Sequence, residues 1–376
     1  MSKSGMMINP KRITEARQAR AYNISQLASL IEVSRQAISR YEQGLSAPSP
    51  RIVEKMSETL NFPINFFYKD TIEFPSDSTV FYRSFKTSEA DIRSMIKTRC
   101  FWASEVYECL NKNIVLPKLN LPALDLIIRQ ENISQETIEN AAQSVRQYWG
   151  LGNGPIPNLT YELEKNGVIV SSSSLTYDKV EACSQVANGK PIILMSKGNK
   201  SACRIRFSLA HELGHIVMHG HITKEDIKIP EVLKRIETEA NRFAGAFLLP
   251  EKSFVNDVNS VYLESFIPLK SKWKVSISSM IYRCNDLGIL DEEQILSLKK
   301  QISNKRWWRE EPLDKDIPQE KPKLLSSAIN LLFKNNVITP LKFADRFSWN
   351  TEDLSDICNC APSLFSHNLD IELQLK

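Results

Sequence analysis

Residues 204–219 read RIRFSLAHELGHIVMH. Ile205, Leu209, Ile216 and Val217 recur at helical spacing, so the stretch predicts an amphipathic helix. His211 and His215 stand four residues apart on it, which sets both imidazoles on one face about a turn apart, within reach of one metal ion. Glu212 lies beside that face, placed to take a proton from water that the metal activates. With three protein ligands the fourth metal position stays open, and zinc brings the pKa of water there to about 7. The chemistry implied is zinc-dependent hydrolysis of peptide bonds, with Mn as the alternative ion for the same N/O donors. Four of the five histidines, His211, His215, His219 and His221, fall within eleven residues, so the segment reads as a site.

Several residues compete to be the third ligand. His221 lies ten residues after His211, but that arrangement turns the chain at a glycine where Met218 stands. His219 continues the row of i+4 positions, yet the row drifts by about 40° per step, which carries it away from a shared metal. Glu239 lies in a second predicted helix, residues 230–249, which Pro250 stops. It is the ligand chosen, with Glu237 of the same Glu-Thr-Glu-Ala-Asn run as its rival. Upstream, residues 167–173 (GVIVSSS), 179–186 (KVEACSQV) and 191–196 (PIILMS) are three short strand candidates. Asn188-Gly189 predicts a hairpin between the last two, because both turn positions need positive φ. A small antiparallel sheet is expected, with an edge strand open to an extended peptide.

Toward the N-terminus the texture changes. Residues 12–68 read as five short helices separated by turn residues, among them Gly44 and the Ser-Ala-Pro-Ser-Pro run at 46–50. Ser25-Gln26-Leu27-Ala28 opens one helix, Val33 follows a short turn, and Ser34 takes the N-cap position of the next, residues 35–42. That is helix, tight turn, helix at the helix-turn-helix spacing. Leu27, Ala28, Ile31, Val33, Ile38 and Tyr41 fix the pair together, and the second helix exposes Arg35, Gln36, Ser39 and Arg40. In the major groove glutamine can pair with adenine and arginine with guanine, while Gln26, at the start of the preceding helix, suits a phosphate. Charge agrees with this: residues 1–69 hold ten Lys and Arg against five Glu, although the whole chain carries only +4.

At 376 residues the chain exceeds one hydrophobic core. It divides into a helix-turn-helix DNA-binding domain at 1–70, a helical connector at 71–150, an HExxH metallopeptidase-like domain at 151–265, a helical, helix-turn-helix-like subdomain at 266–310, and a linker with a helical region at 311–376. In the connector, Trp102, Val106, Leu110 and then Ile138, Ala141, Val145 and Trp149 are spaced to line helix faces. Residues 270–290 have an N-cap at Ser276, an apolar face, and Lys270, Lys272, Lys274 and Arg283. They are either a second DNA reader or a buttress for the peptidase region. The segment 310–323, with three prolines and many charges, reads as a linker. The seven cysteines, Cys100, Cys109, Cys183, Cys203, Cys284, Cys358 and Cys360, contain no CxxC pair, which speaks against a disulfide framework or a thiolate zinc knuckle. No stretch approaches the roughly 18 apolar residues of a membrane span, and no apolar signal core opens the chain, so no membrane and a cytoplasmic location are expected.

Two resemblances extend this reading. SQLASLIEVSRQAISRYEQG with the following LSAPSP resembles the phage-repressor-like Xre/Cro-cI family over residues 10–68, which implies a homodimer on palindromic double-stranded operator DNA. Glu32 stands where that family commonly has glycine in the inter-helix turn, so strain is expected there. PIPNL at 155–159, RIRFSLAHELGHIVMH and EANRFAGAFLLP at 239–250 resemble the ImmA/IrrE metallopeptidases. This implies a gluzincin-like zinc-peptidase domain with Glu239, before Ala-Asn, as third ligand. The expected fold is α+β and mostly helical: a five-helix DNA-binding domain, the peptidase domain with its small antiparallel sheet, and a helical C-terminal region. The expected function is a transcriptional regulator whose peptidase site, with Glu212 as base and His211, His215 and Glu239 as ligands, cleaves itself or a partner regulator. The alternatives are an antitoxin of a toxin–antitoxin locus that binds its cognate toxin without cleavage, and a general zinc peptidase localised by its DNA-binding domain.

Overall fold

The structure, a computed structural model, describes residues 7–70, 80–82 (backbone), 90–123, 133–174, 181–187, 189–198, 200–223 and 225–365. It opens with α1 (Pro10–Ala19), α2 (Ile24–Leu30), α3 (Arg35–Glu42), α4 (Pro50–Leu60) and a 3₁₀ segment at Ile64–Tyr68. The Ser34 cap read from the sequence holds, accepting from the Ala37 N–H; Asn9 and Asn23 likewise accept from the N–H groups of Lys11 and Gln26, and Pro50 takes the first turn of α4. A three-residue strand β1 (Val80–Tyr82) and the long α5 (Ala90–Asn111) follow, then α6 (Gln135–Tyr148) and α7 (Leu159–Lys165).

Strands β2 (Ile169–Ser173), β3 (Ala182–Ala187) and β4 (Lys190–Ser196) form a small mixed sheet that β1 extends, in the order β1-β3-β4-β2. The β3–β4 hairpin is as expected, with Ala187 opposite Lys190 and Gly189 at φ +72°. Asn188 and residues 179–180 lie outside the described residues. The expectation of a wholly antiparallel sheet is corrected: β2 pairs parallel with β4, Ile169 opposite Ile192. Consecutive strands do not form a simple meander here, because β2 crosses over to the far side of the hairpin. Entry into β2 requires Gly167, whose φ is +81° and whose missing Cβ would lie 2.3 Å from the Lys118 carbonyl carbon.

The sheet separates two apolar clusters, and its period-2 alternation feeds both. Ile169, Cys183, Ile192 and Leu194 join the first, with the N-terminal helices, α5 and the later helices α14 (Leu324–Lys334), α15 (Pro340–Phe347) and α16 (Thr351–Cys358). Val170, Ala182, Ile193 and Met195 join the second, with α6, α7, α8 (Ala202–Met218), α9 (Pro230–Leu248), α10 (Glu251–Asp257), α11 (Phe266–Trp273), α12 (Ile277–Asp286) and α13 (Glu292–Asn304). All seven cysteines are free thiols. Among the described residues no helix is long and apolar enough to cross a membrane.

Three segments gain a definition that the sequence left open or read differently. Lys270 is fully buried and bonds Glu311 and Asp314, and buried Arg283 pairs with Glu139, so these cations fasten α11 and α12 to their neighbours instead of facing solvent. Segment 310–323 packs down rather than standing free: Glu311 accepts from the first backbone N–H groups of α12 at Ile277 and Ser278, and Glu320 binds Arg206 and the Thr160 N–H. Residues 351–358, uninformative in sequence, form a staple. Asp353 of α16 pairs with both Arg20 and Arg99, while Ser171 and Ser172 of β2 donate to the Ile357 and Asp356 carbonyls.

Candidate functional site

Helices α8 and α9 cross at Gly214. A Cβ there would meet Phe243 at 3.1 Å and the Ala240 Cα at 3.3 Å, so glycine on one helix and alanine on the other let the backbones approach closely. The crossing brings α9 carboxylates to the α8 histidines. His211 and His215 are fully buried, their Nε2 atoms 3.0 Å apart. Glu237 sets one carboxylate oxygen 3.4 Å from each Nε2. Among the described residues these three form the cluster able to hold a metal ion, with one ligand atom from each lying within 4.8 Å of the others. Burial raises the Glu237 carboxyl pKa, but the adjacent His211 and His215 rings outweigh that and pull it down to about 2. Burial keeps His215 below the ordinary imidazole range against the opposing pull of Glu237. Two imidazoles and one carboxylate are a donor set that fits zinc.

Glu239, the third ligand expected from the sequence, is not brought to this cluster. Two residues beyond Glu237 is about 200° around a helix, and the Glu239 carboxylate instead lies 2.9 Å from His219 Nε2. His219 in turn places Nδ1 2.9 Å from His215 Nδ1. His221 lies exposed beyond the end of α8. Glu237, the rival named from the sequence, has a supporting signal on its own helix face. Asn241, one turn further along α9, presents Oδ1 3.0 Å from His211 Nδ1, so ligand and supporter share one face at i, i+4.

Glu212 accepts a hydrogen bond of 2.5 Å from Ser184 on β3. That contact sets β3 alongside the cluster, and Ser208 one turn earlier donates to Glu181, just before β3. The sheet edge beside the site is occupied, contrary to the open edge expected: β1 runs antiparallel to β3 with Phe81 opposite Ser184. A cleft of about 700 Å³ is lined by Glu181, Phe207, Thr238, Asn241, Arg242 and Tyr282, among others.

At the N-terminal end, α2 and α3 are held by buried Leu27, Ala28, Ile31 and Ile38, and Arg17 of α1 pairs with Glu42 of α3 at 2.6 Å. Arg35, Gln36 and Arg40 are exposed and Ser39 is half-buried, where it accepts from Gln43. Gln26 is exposed, but its carbonyl oxygen accepts from the Asn23 N–H in a capping box, which leaves the amide nitrogen as its donor. Glu32 adopts φ +60° in the inter-helix turn, a region that costs a non-glycine residue about 1 kcal/mol or more. Its carboxylate is held by Lys55.

These features meet what the comparisons find. The helix-turn-helix family model matches residues 13–67, and the model of the IrrE N-terminal-like domain matches residues 164–285. No curated protein matches the chain. A solved Mycobacterium tuberculosis transcriptional regulator is similar over 39% of this chain and 46% of that one, at 19% identity and a TM-score of 0.31. The match therefore spans less than half of that structure. The chain thus carries a helix-turn-helix domain followed by an ImmA/IrrE-type, metallopeptidase-like domain.

Proposed function

We propose that the chain is a DNA-binding regulator with a metal-dependent endopeptidase site, in which His211, His215 and Glu237 hold a zinc ion and Glu212 is the general base. The observation that carries this is the convergence of the three ligand atoms beside Glu212. When bound, zinc supplies Lewis acidity to water and to the peptide carbonyl. The chain's own groups do the rest. Asn241 orients His211, the Ser184 hydroxyl holds the Glu212 carboxylate, and Glu212 takes the proton of the attacking water and returns it to the leaving amine. Arg35, Gln36, Ser39 and Arg40 read operator DNA as a cytoplasmic homodimer, with Gln26 on a phosphate.

The substrate is either a partner regulator or the chain itself. Strand β1 favours the latter, because residues 80–82 pair with β3 in the antiparallel manner of a bound peptide. Zinc analysis and mass spectrometry of the purified chain test the proposal. Wild type and Glu212→Gln should each hold about one zinc, Glu237→Ala should lose it, and only wild type should release fragments, of itself or of an added partner repressor. Full zinc in Glu237→Ala overturns the ligand assignment. Zinc binding without cleavage of either substrate favours the toxin-binding reading.

A further inference from the structure

A second chain of contacts runs behind the cluster, outside the ligand set. It comprises His215 Nδ1 to His219 Nδ1 at 2.9 Å, then His219 Nε2 to Glu239 Oε2 at 2.9 Å. His219 is 1% exposed and Glu239 7%, so water does not readily replace either contact. A hydrogen bond between two ring nitrogens needs one proton, not two. If Nδ1 of His219 carried it, Nδ1 of His215 would accept and the His215 proton would sit on Nε2, the atom turned toward Glu237 and His211. If Nδ1 of His215 carries it, Nε2 of His215 keeps its lone pair for a metal, and His219 accepts at Nδ1. The proton of neutral His219 then sits on Nε2 and donates to the Glu239 carboxylate.

We infer that His219 and Glu239 are positioning residues which fix His215 in its Nδ1–H tautomer and so keep its Nε2 ready for metal. Asn241 does the same for His211 through a single contact; the His215 arm takes two side chains because α9 presents Glu239 one imidazole farther away. This inference rests on the proposed metal site and deepens it. A ligating imidazole usually gives its other N–H to such a partner, and loss of the partner weakens metal binding by about 10- to 100-fold.

The test uses the full chain, with zinc affinity measured by competition against a chromophoric chelator and the His215 tautomer read from two-bond ¹H–¹⁵N correlations of the metal-free protein. His219→Phe should weaken zinc binding by about 10- to 100-fold and shift His215 toward the Nε2–H form. His219→Gln should restore both, because its carbonyl can accept from His215 and its amide can donate to Glu239. Glu239→Ala should still reach one zinc per chain at saturation but with weakened affinity, unlike Glu237→Ala. If His219→Phe does not fold, His219→Gln and Glu239→Ala carry the test. A wild type in the Nε2–H form, or unchanged affinity in His219→Phe and Glu239→Ala, overturns the inference alone. A wild type that binds no zinc overturns the metal reading together with it.

Discussion

Replacing Asp353 by alanine tests whether one carboxylate joins three parts of the chain. Its Oδ1 lies 2.6 Å from Arg99 of α5 and its Oδ2 2.6 Å from Arg20 at the end of α1. The Arg99 side chain is 1% exposed and that of Asp353 6%, and two other Arg99 nitrogens already have no hydrogen-bond partner. The nearest other carboxylate, Asp356, is 4.0 Å away. Truncation therefore leaves a buried guanidinium with weak compensation, a loss of about 3–5 kcal/mol when one partner of a buried pair is removed. Arg20 adds little, because it is better exposed and keeps the Leu60 and Asn61 carbonyls. We expect about 3–4 kcal/mol, which lowers the urea midpoint by roughly 1–2 M for an m-value near 2–3 kcal/mol/M. Trp102 and Trp349, stacked at 4.5 Å within the same cluster, report the transition by fluorescence. Replacing Asp353 and Arg99 together by leucine should recover much of the loss, since apolar replacement of a buried pair is often neutral. A midpoint shift under about 0.3 M in Asp353→Ala, roughly 1 kcal/mol, refutes the reasoning.

Two further outcomes are expected. Gln36→Ala and Arg40→Ala should weaken binding to the chain's own promoter by roughly 1–3 kcal/mol per lost base contact, with much less effect on random DNA. Gel-shift titrations at fixed salt in which both variants lose specific and random DNA equally contradict a base-reading role. Burial and then the neighbouring Glu15 push the Glu105 carboxyl on α5 up to about 8 from its ordinary 4.5. A native pKa above the unfolded one means that the folded chain holds an extra proton between pH 4.5 and 8, so stability falls as pH rises through that window. Glu105→Gln removes this slope, and its advantage over wild type in urea midpoint should grow from pH 5 to pH 8; a constant difference contradicts it.

The sequence was most legible where local rules act alone. Ser34 as N-cap, Leu27 through Tyr41 as an apolar seam, and the i, i+4 histidines each follow from one helical period, and each is present in the structure. Which α9 carboxylate meets the histidines was less legible, because the choice between Glu237 and Glu239 depends on the rotation of α9 against α8, which the crossing at Gly214 sets. Strand β1 escaped because three residues are too few to show alternation. The 310–323 segment read as a linker because its charges looked solvated, whereas Glu311 and Glu320 find buried partners far away in sequence. The roles of α16 escaped for the same reason.

That helix bears on the order in which the protein can be assembled. Arg20 and Asp353 are separated by 333 positions, and Ser171 meets Ile357 across 186. Contacts of such separation close late, after the loop entropy between them has been overcome. During synthesis the N-terminal helices and one face of the sheet emerge long before the residues that seal them, so both expose apolar surface while they wait. The last seal adds a direct tie between the DNA-binding end and the sheet beside the histidines, on top of the packing that α5 already makes with both.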